Sequence, residues 1–172
     1  MKSSRKSCPI GVPILENNQI VSKLTEKFQD KVRKLELHPE QAAVAVESAS
    51  LPEVAQFIKG DQDLALDYIM SISGVDLLDN GMEMVYHFCS TTQDHRLTIK
   101  VKLDREKPEV PTIIEQFPGA NWYEREAWEL FGINILGHPK LERFLLVEDW
   151  DEGYPMRKDW DEGKDFVKMP EF

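Results

Sequence analysis

Met82-Glu-Met-Val-Tyr-His-Phe-Cys89 and Leu97-Thr-Ile-Lys-Val-Lys-Leu103 decide the fold. In the first, Met82, Met84, Tyr86 and Phe88 alternate with Glu83, Val85 and His87; in the second, Leu97, Ile99, Val101 and Leu103 alternate with Thr98, Lys100 and Lys102. Successive side chains of a strand point to opposite faces, so a period of two marks strands with one side in a core and the other toward water. Thr91-Thr92-Gln93-Asp94 separates the two runs, and a third run, Tyr68 to Leu78, precedes them across Asp79-Asn80-Gly81. Asn80-Gly81 is a strong hairpin dipeptide because both residues tolerate positive φ. Half-buried antiparallel strands in sequence order are expected.

Toward the N-terminus the period changes. From Asn18 to Asp30 the apolar residues Ile20, Val21, Leu24 and Phe28 recur at three and four, which predicts a helix with Asn17 or Asn18 as its cap. Val32 to Leu37 and Ala42 to Val46 read as one or two short strands interrupted near Pro39. Ser50 can cap a second helix with Pro52 and Glu53 in its first turn, Val54, Phe57 and Ile58 as its buried stripe, and Gly60 as its stop. The first fifteen residues are basic, then apolar, and are broken by Pro9, Gly11 and Pro13, which suits an arm. No internal repeat is visible.

Toward the C-terminus, Pro108 and Pro111 are expected to end the sheet, and Thr112 to Phe117 to begin a helical stretch that stops at Pro118-Gly119. Asn121-Trp-Tyr-Glu-Arg-Glu-Ala-Trp-Glu-Leu-Phe-Gly132 then reads as a compact helix, with Asn121 as cap, Glu124 at the capping-box position and Gly132 as stop. Tyr123, Ala127, Leu130 and Phe131 make an apolar stripe, and Arg125 and Glu129 are spaced to pair. Glu124, Arg125 and Glu126 point about 100° apart on a helix and cannot converge on one substrate atom, so an ion-pair role is expected rather than catalysis.

The 39 residues from Asn134 to Phe172 include 16 charged and 6 aromatic ones, with no helix or strand period beyond Leu146. Their apolar area is small against the entropy of ordering them, so they are expected to be disordered or clamped by a partner; their aromatic richness favours the partner. The fold class expected is α+β, a mainly antiparallel sheet with helices packed on one face, followed by a long extended C-terminal tail. The organisation is an arm over 1–17, an α+β domain over 18–132 and a partner-binding tail over 133–172.

A chain of 172 residues with 41% hydrophobic and 30% charged residues can bury a core as one domain. Its formal charge of -10 makes a phosphate-tracking surface, and hence nucleic acid, a poor partner. No apolar run nears the roughly 18–20 residues that cross a bilayer, so a soluble chain is expected. Cys8 and Cys89 are too few for an iron-sulfur cluster or a four-cysteine zinc site, and no phosphate loop or nucleophile motif stands out. His38, His87 and His95 read as structural or solvent-facing, and His138 as part of a turn or tail-docking contact. No catalytic, cofactor-binding or metal-binding residue is expected.

The string EREAWELFGINILGHPKLERFLLVEDWDEGYPMRKDW, Glu124 to Trp160, resembles the signature of the 30-kilodalton subunit family of respiratory complex I, the C-type subunits of NADH-quinone oxidoreductases. Five landmarks run in order: Glu-Arg-Glu at 124–126, Phe-Gly at 131–132, Gly-His-Pro at 137–139, Glu-Asp-Trp at 148–150 and Arg-Lys-Asp at 157–159. Met156 replaces a more usual Leu, and Trp160 a more usual Tyr, which leaves the branch open. The resemblance implies an accessory, non-redox scaffold subunit in the peripheral arm of a membrane-associated, energy-converting oxidoreductase, at the cytoplasmic face of the cell membrane. It implies no cofactor in this chain; iron-sulfur clusters and a quinone or nickel-iron site belong to partner subunits. The partners implied are the large quinone-site or hydrogenase-like subunit and the iron-sulfur subunits, with the membrane reached only through the complex. Glu124, Arg125, Glu126, His138, Pro139, Trp150, Arg157, Lys158, Asp159 and Trp160 are the expected interface. Arg157 is expected to make its strongest contact, with no effect on the melting of the isolated chain when it is removed. The alternatives are the same role in a membrane-bound nickel-iron hydrogenase or polysulfide-reducing complex, and a stand-alone acidic binding module.

Overall fold

The alternating runs become neighbours. In the computed structural model, which describes residues 15–36 and 41–160, β3 (Tyr68–Asp76), β4 (Met82–Cys89) and β5 (Arg96–Leu103) form an antiparallel meander. The readings placed on residues 1–14, on His38 and Pro39, and on 161–172 lie outside the described residues. Met82, Met84, Tyr86 and Phe88 are buried with Leu97, Ile99, Val101 and Leu103, as the period of two requires. The β3–β4 connection is wider than a two-residue hairpin. Leu78 and Gly81 take positive φ, 55° and 90°, around a single 3-10 turn, and Leu77 N–H donates to the Gly81 carbonyl at 3.0 Å.

β1 (Val32–Lys34) and β2 (Ala42–Val46) complete a five-stranded sheet in the order β1-β2-β5-β4-β3. β2 runs parallel to β5, and a separate parallel pair joins β6 (Glu109–Pro111) to β7 (Asn134–Leu136). The sheet is therefore mixed and not mainly antiparallel. Alternation reports which face of a strand is buried and carries no information on the direction of its neighbour. Ala42-Ala-Val-Ala-Val46 is nearly continuous apolar sequence, the pattern of an interior strand. Pro108 and Pro111 do not end pairing either, because β6 is an edge strand whose Pro111 has no ladder donor to lose.

Three helices supply the other layer. α1 (Asn17–Phe28) buries Ile20, Val21, Leu24 and Phe28 as spaced, but its start is secured by Gln19 Oε1 accepting from Glu16 N–H at 2.8 Å and not by an asparagine cap. α2 (Leu51–Gly60) follows Ser50 with Pro52 in its first turn and ends at Gly60. Residues 113–117 form one turn and no helix, the Phe117 N–H donating to the Ile113 carbonyl at 2.8 Å before Pro118. α3 (Ala120–Phe131) sits with its last residue against β3. A Cβ on Gly74 would lie 2.8 Å from the Phe131 ring, so glycine there lets the helix end settle on the sheet. The buried sides of all three helices and the inward strand residues form one core.

Candidate partner-docking site

α3 begins directly after Pro118-Gly119, with no side-chain cap from Asn121. Glu124 does not serve a capping box. Its buried carboxylate turns inward and accepts from Thr112 Oγ1 at 2.5 Å and Ile113 N–H at 2.8 Å, tying the chain after β6 to the helix. Burial raises the Glu124 carboxyl above its ordinary value despite these bonds. His138 Nε2 stands 3.9 Å from Glu124 Oε2, while its Nδ1 accepts from Lys140 N–H at 3.1 Å and closes the turn containing exposed Pro139. Burial holds the imidazole below its usual range.

Arg125 and Glu129 do not pair with each other. The Arg125 Nε donates to the Glu142 carbonyl at 2.9 Å, and its guanidinium lies 4.8 Å from the Trp122 ring centre and 4.9 Å from that of Phe144. One turn on, buried Glu129 accepts from the N–H groups of Phe144, Leu145 and Leu146, the last at 2.7 Å. The cation thus takes the carbonyls of residues 142 and 143 and the anion takes the next three amides, so the helix grips the backbone of the following segment at both polarities. Glu126 is half-buried on the same helix.

Residues 154–159 close over the other end of α3. Gly132 ends the helix at φ 69°, and a Cβ there would fall 2.4 Å from the Tyr154 ring. Met156 N–H donates to the Leu130 carbonyl at 3.1 Å and Arg157 Nε to the Phe131 carbonyl at 2.7 Å, satisfying helix-end acceptors where a cation is favoured. Arg157, expected to act on a partner alone, therefore uses its Nε on its own helix, with its guanidinium 4.7 Å from the Tyr154 ring centre. Lys158 N–H donates to Asp76 Oδ2 at 2.9 Å, and Arg105 bridges Asp76 and Asp159, the latter at 2.8 Å. Burial alone would raise the Asp76 carboxyl; the Arg105 guanidinium and two amides overcome it and hold the group at about 2.

Trp150 and Trp160 pack with ring centres 6.2 Å apart, their indole N–H groups donating to the carbonyls of Gly153 and Glu152. The pentapeptide Asp-Trp-Asp-Glu-Gly occurs at 149–153 and again at 159–163, so the chain does carry a short repeat. Nine of the ten expected residues thus gather in three groups: Glu124, Arg125, His138 and Pro139 near the start of α3, Arg157, Lys158 and Asp159 at its end, and Trp150 against Trp160; Glu126 joins none of them. Asp76, Arg105, Trp122 and Phe144 are the contributors that sequence reasoning missed, and Glu129, expected to pair with Arg125, holds backbone amides instead. Trp122, Phe144, Leu145, Val147, Tyr154 and Met156 remain exposed along this side, an apolar surface fixed in place by the buried charges beneath it.

Among the described residues no group of three or more His, Cys, Asp or Glu is placed to hold a metal ion, and no helix is long and apolar enough to cross a membrane. Residues 44–165 match the model of the respiratory-chain NADH dehydrogenase 30 Kd subunit. The C-type subunit of NADH-quinone oxidoreductase from Roseiflexus sp. (strain RS-1) is 36% identical over 155 residues, 89% of this chain and 88% of that protein. The C-type subunit of F420H2 dehydrogenase from Methanosarcina mazei is 33% identical over 146 residues, 84% of this chain and 91% of that protein. In fold, the chain is similar to one in the membrane-bound sulfane sulfur reductase, an archaeal respiratory membrane complex, with TM-score 0.73, 24% identity and coverage of 86% and 87%. It is also similar to the trypsin-resistant fragment of Nqo5, with TM-score 0.57, 23% identity and coverage of 73% and 99%. With the match running from within β2 through β3–β5, α3 and the strapped segment, this chain belongs to the respiratory-chain NADH dehydrogenase 30 Kd subunit family.

Proposed function

We propose that the chain is an accessory, non-redox scaffold subunit of the peripheral arm of a complex I-type oxidoreductase. It docks on the subunits that carry the iron-sulfur clusters and the electron-acceptor site, at the cytoplasmic face of the membrane. One observation carries this reading. The charged residues of the signature, Glu124, Arg125 and Glu129, are turned inward to hold backbone, and what they present outward is an exposed aromatic and aliphatic surface. A catalytic carboxylate would have to reach a substrate, and Glu124 and Glu129 are committed to amides of their own chain. Aromatic residues rimmed by charge are the usual composition of a protein interface core.

A relative named for F420H2 dehydrogenase matches over nearly as much of the chain as one named for NADH-quinone oxidoreductase. The electron donor is accordingly a property of the partner chains. Reconstitution tests the scaffold role. Leu145→Asp combined with Val147→Asp alters two exposed positions, so the isolated chain should melt as wild type while recovery of the assembled complex falls about tenfold or more, as expected for charges placed in a desolvated interface. Wild-type recovery of the complex with this variant would refute the reading.

A further inference from the structure

The helices and the core occupy one face of the five-stranded sheet; the opposite face carries its own pattern. Cross-strand register puts Arg33, Ala45, Lys100, Val85 and Ser73 in one row of that face, Ala43, Thr98, His87 and Ser71 in the next, and Lys102, Glu83 and Val75 in a third. Arg96 lies beside Cys89 at one end. The outward strand positions thus bear Arg33, Arg96, Lys100 and Lys102 against the single carboxylate Glu83, which pairs with Lys100 at 3.2 Å. This imbalance is opposite in sign to that of the chain, which has 31 acidic and 21 basic residues.

The surface between these cations is low and partly shielded. Ala43, Thr98 and Val85 are buried although no helix among the described residues covers them, and the small side chains at 45, 71 and 73 are partly or fully exposed. At the Arg96 end this becomes a groove of about 600 Å³ bordered by Gln41, Ser71, His87, Arg96 and Thr98. Within the groove His87 Nδ1 and Thr98 Oγ1 are 3.1 Å apart.

From this distribution we infer that this outward face of the sheet is a second docking surface, for a carboxylate-rich face of a neighbouring protein subunit. The inference rests on the chain's place in a multi-subunit complex and adds a contact separate from the α3 side. A protein is favoured over a bilayer or nucleic acid for a reason of scale. Exposed charges act over about 8 Å at physiological ionic strength, so a local acidic patch meets only this face. An extended phosphate surface would also meet the rest of a chain of charge -10.

The experiment compares Lys102 in the free full-length chain and in the purified complex, by amine-reactive labelling and by carbodiimide, which joins amines to carboxylates. Lys102 should lose its labelling in the complex and be recovered cross-linked to an Asp or Glu of another subunit. The triple variant Arg33→Glu, Arg96→Glu, Lys102→Glu should retain the melting temperature of the free chain and lower its incorporation about tenfold or more, through like-charge repulsion. Equal labelling of Lys102 in both states overturns the inference. So does sedimentation of the free chain with 3:1 phosphatidylcholine–phosphatidylglycerol vesicles that the triple variant abolishes, which would assign the face to lipid. Mass spectrometry of the same preparation shows whether the chain is present in the complex. A chain that is present with Lys102 fully reactive removes the docking face and leaves the scaffold reading standing.

Discussion

Glu129 accepts three consecutive amide hydrogens from a segment that has no regular structure of its own. Glu129→Ala should strand those donors, costing about 1–3 kcal/mol. Limited proteolysis of the variant should cut within 141–150 before the sheet unfolds. Gly132→Ala meets two obstacles, a positive φ and the Tyr154 ring, and should lower stability by about 1–3 kcal/mol, with loss of the Tyr154 contact visible in near-ultraviolet circular dichroism. Asp76 carries a pH signature. Its folded pKa of about 2 lies below the ordinary 3.8, so its contribution is complete above about 4 and is lost as pH falls from there toward 2. The depression corresponds to about 2 kcal/mol, and Asp76→Asn should reduce stability at neutral pH by that order while flattening the acid limb of a denaturation series. Glu124 and Arg125 are singled out by the family resemblance, and the capping-box and pairing roles read from helix spacing do not form. Gly132 could be read from sequence because a stop glycine is a local signal. Asp76 could not, since its partners Arg105 and Lys158 lie far along the chain and no periodicity links them.

At the scale of elements, the helices and the three meander strands were legible because burial imposes a period on each. Strand direction was not: the parallel β2–β5 and β6–β7 pairings depend on how connections cross the sheet, and Asn134–Leu136 is too short to show alternation. The segment 137–160, part of the tail expected over 133–172, is read from apolar area against ordering entropy and from aromatic richness, which favour disorder or capture by a partner. Its attachment in the structure is polar, through backbone bonds to Arg125, Glu129, Asp76 and the end of α3, and composition does not register such bonds. Arg157→Ala should accordingly destabilise the isolated chain by about 1–2 kcal/mol, since it strips a charged donor from a helix C-terminus. Lys158→Ala should leave the melting temperature nearly unchanged, because the bond to Asp76 comes from its backbone N–H. Differential scanning calorimetry of the two variants separates these outcomes.

For the molecule as a whole, the core fixes one side of α3, and the buried charges of that helix fix the strap, so the exposed residues Trp122, Leu145, Val147, Tyr154 and Met156 are carried on a prepared surface. A surface organised this way can bind without having to order a long tail at the moment of contact. The central claim is that this strapped side is what the neighbouring subunits cover. Hydrogen–deuterium exchange of the free chain and of the chain within its complex measures that directly. Amides of residues 144–156 should exchange markedly more slowly in the complex, while those of β4 and β5, already held in the core sheet, should change little. Identical exchange over 144–156 in both states would contradict the claim.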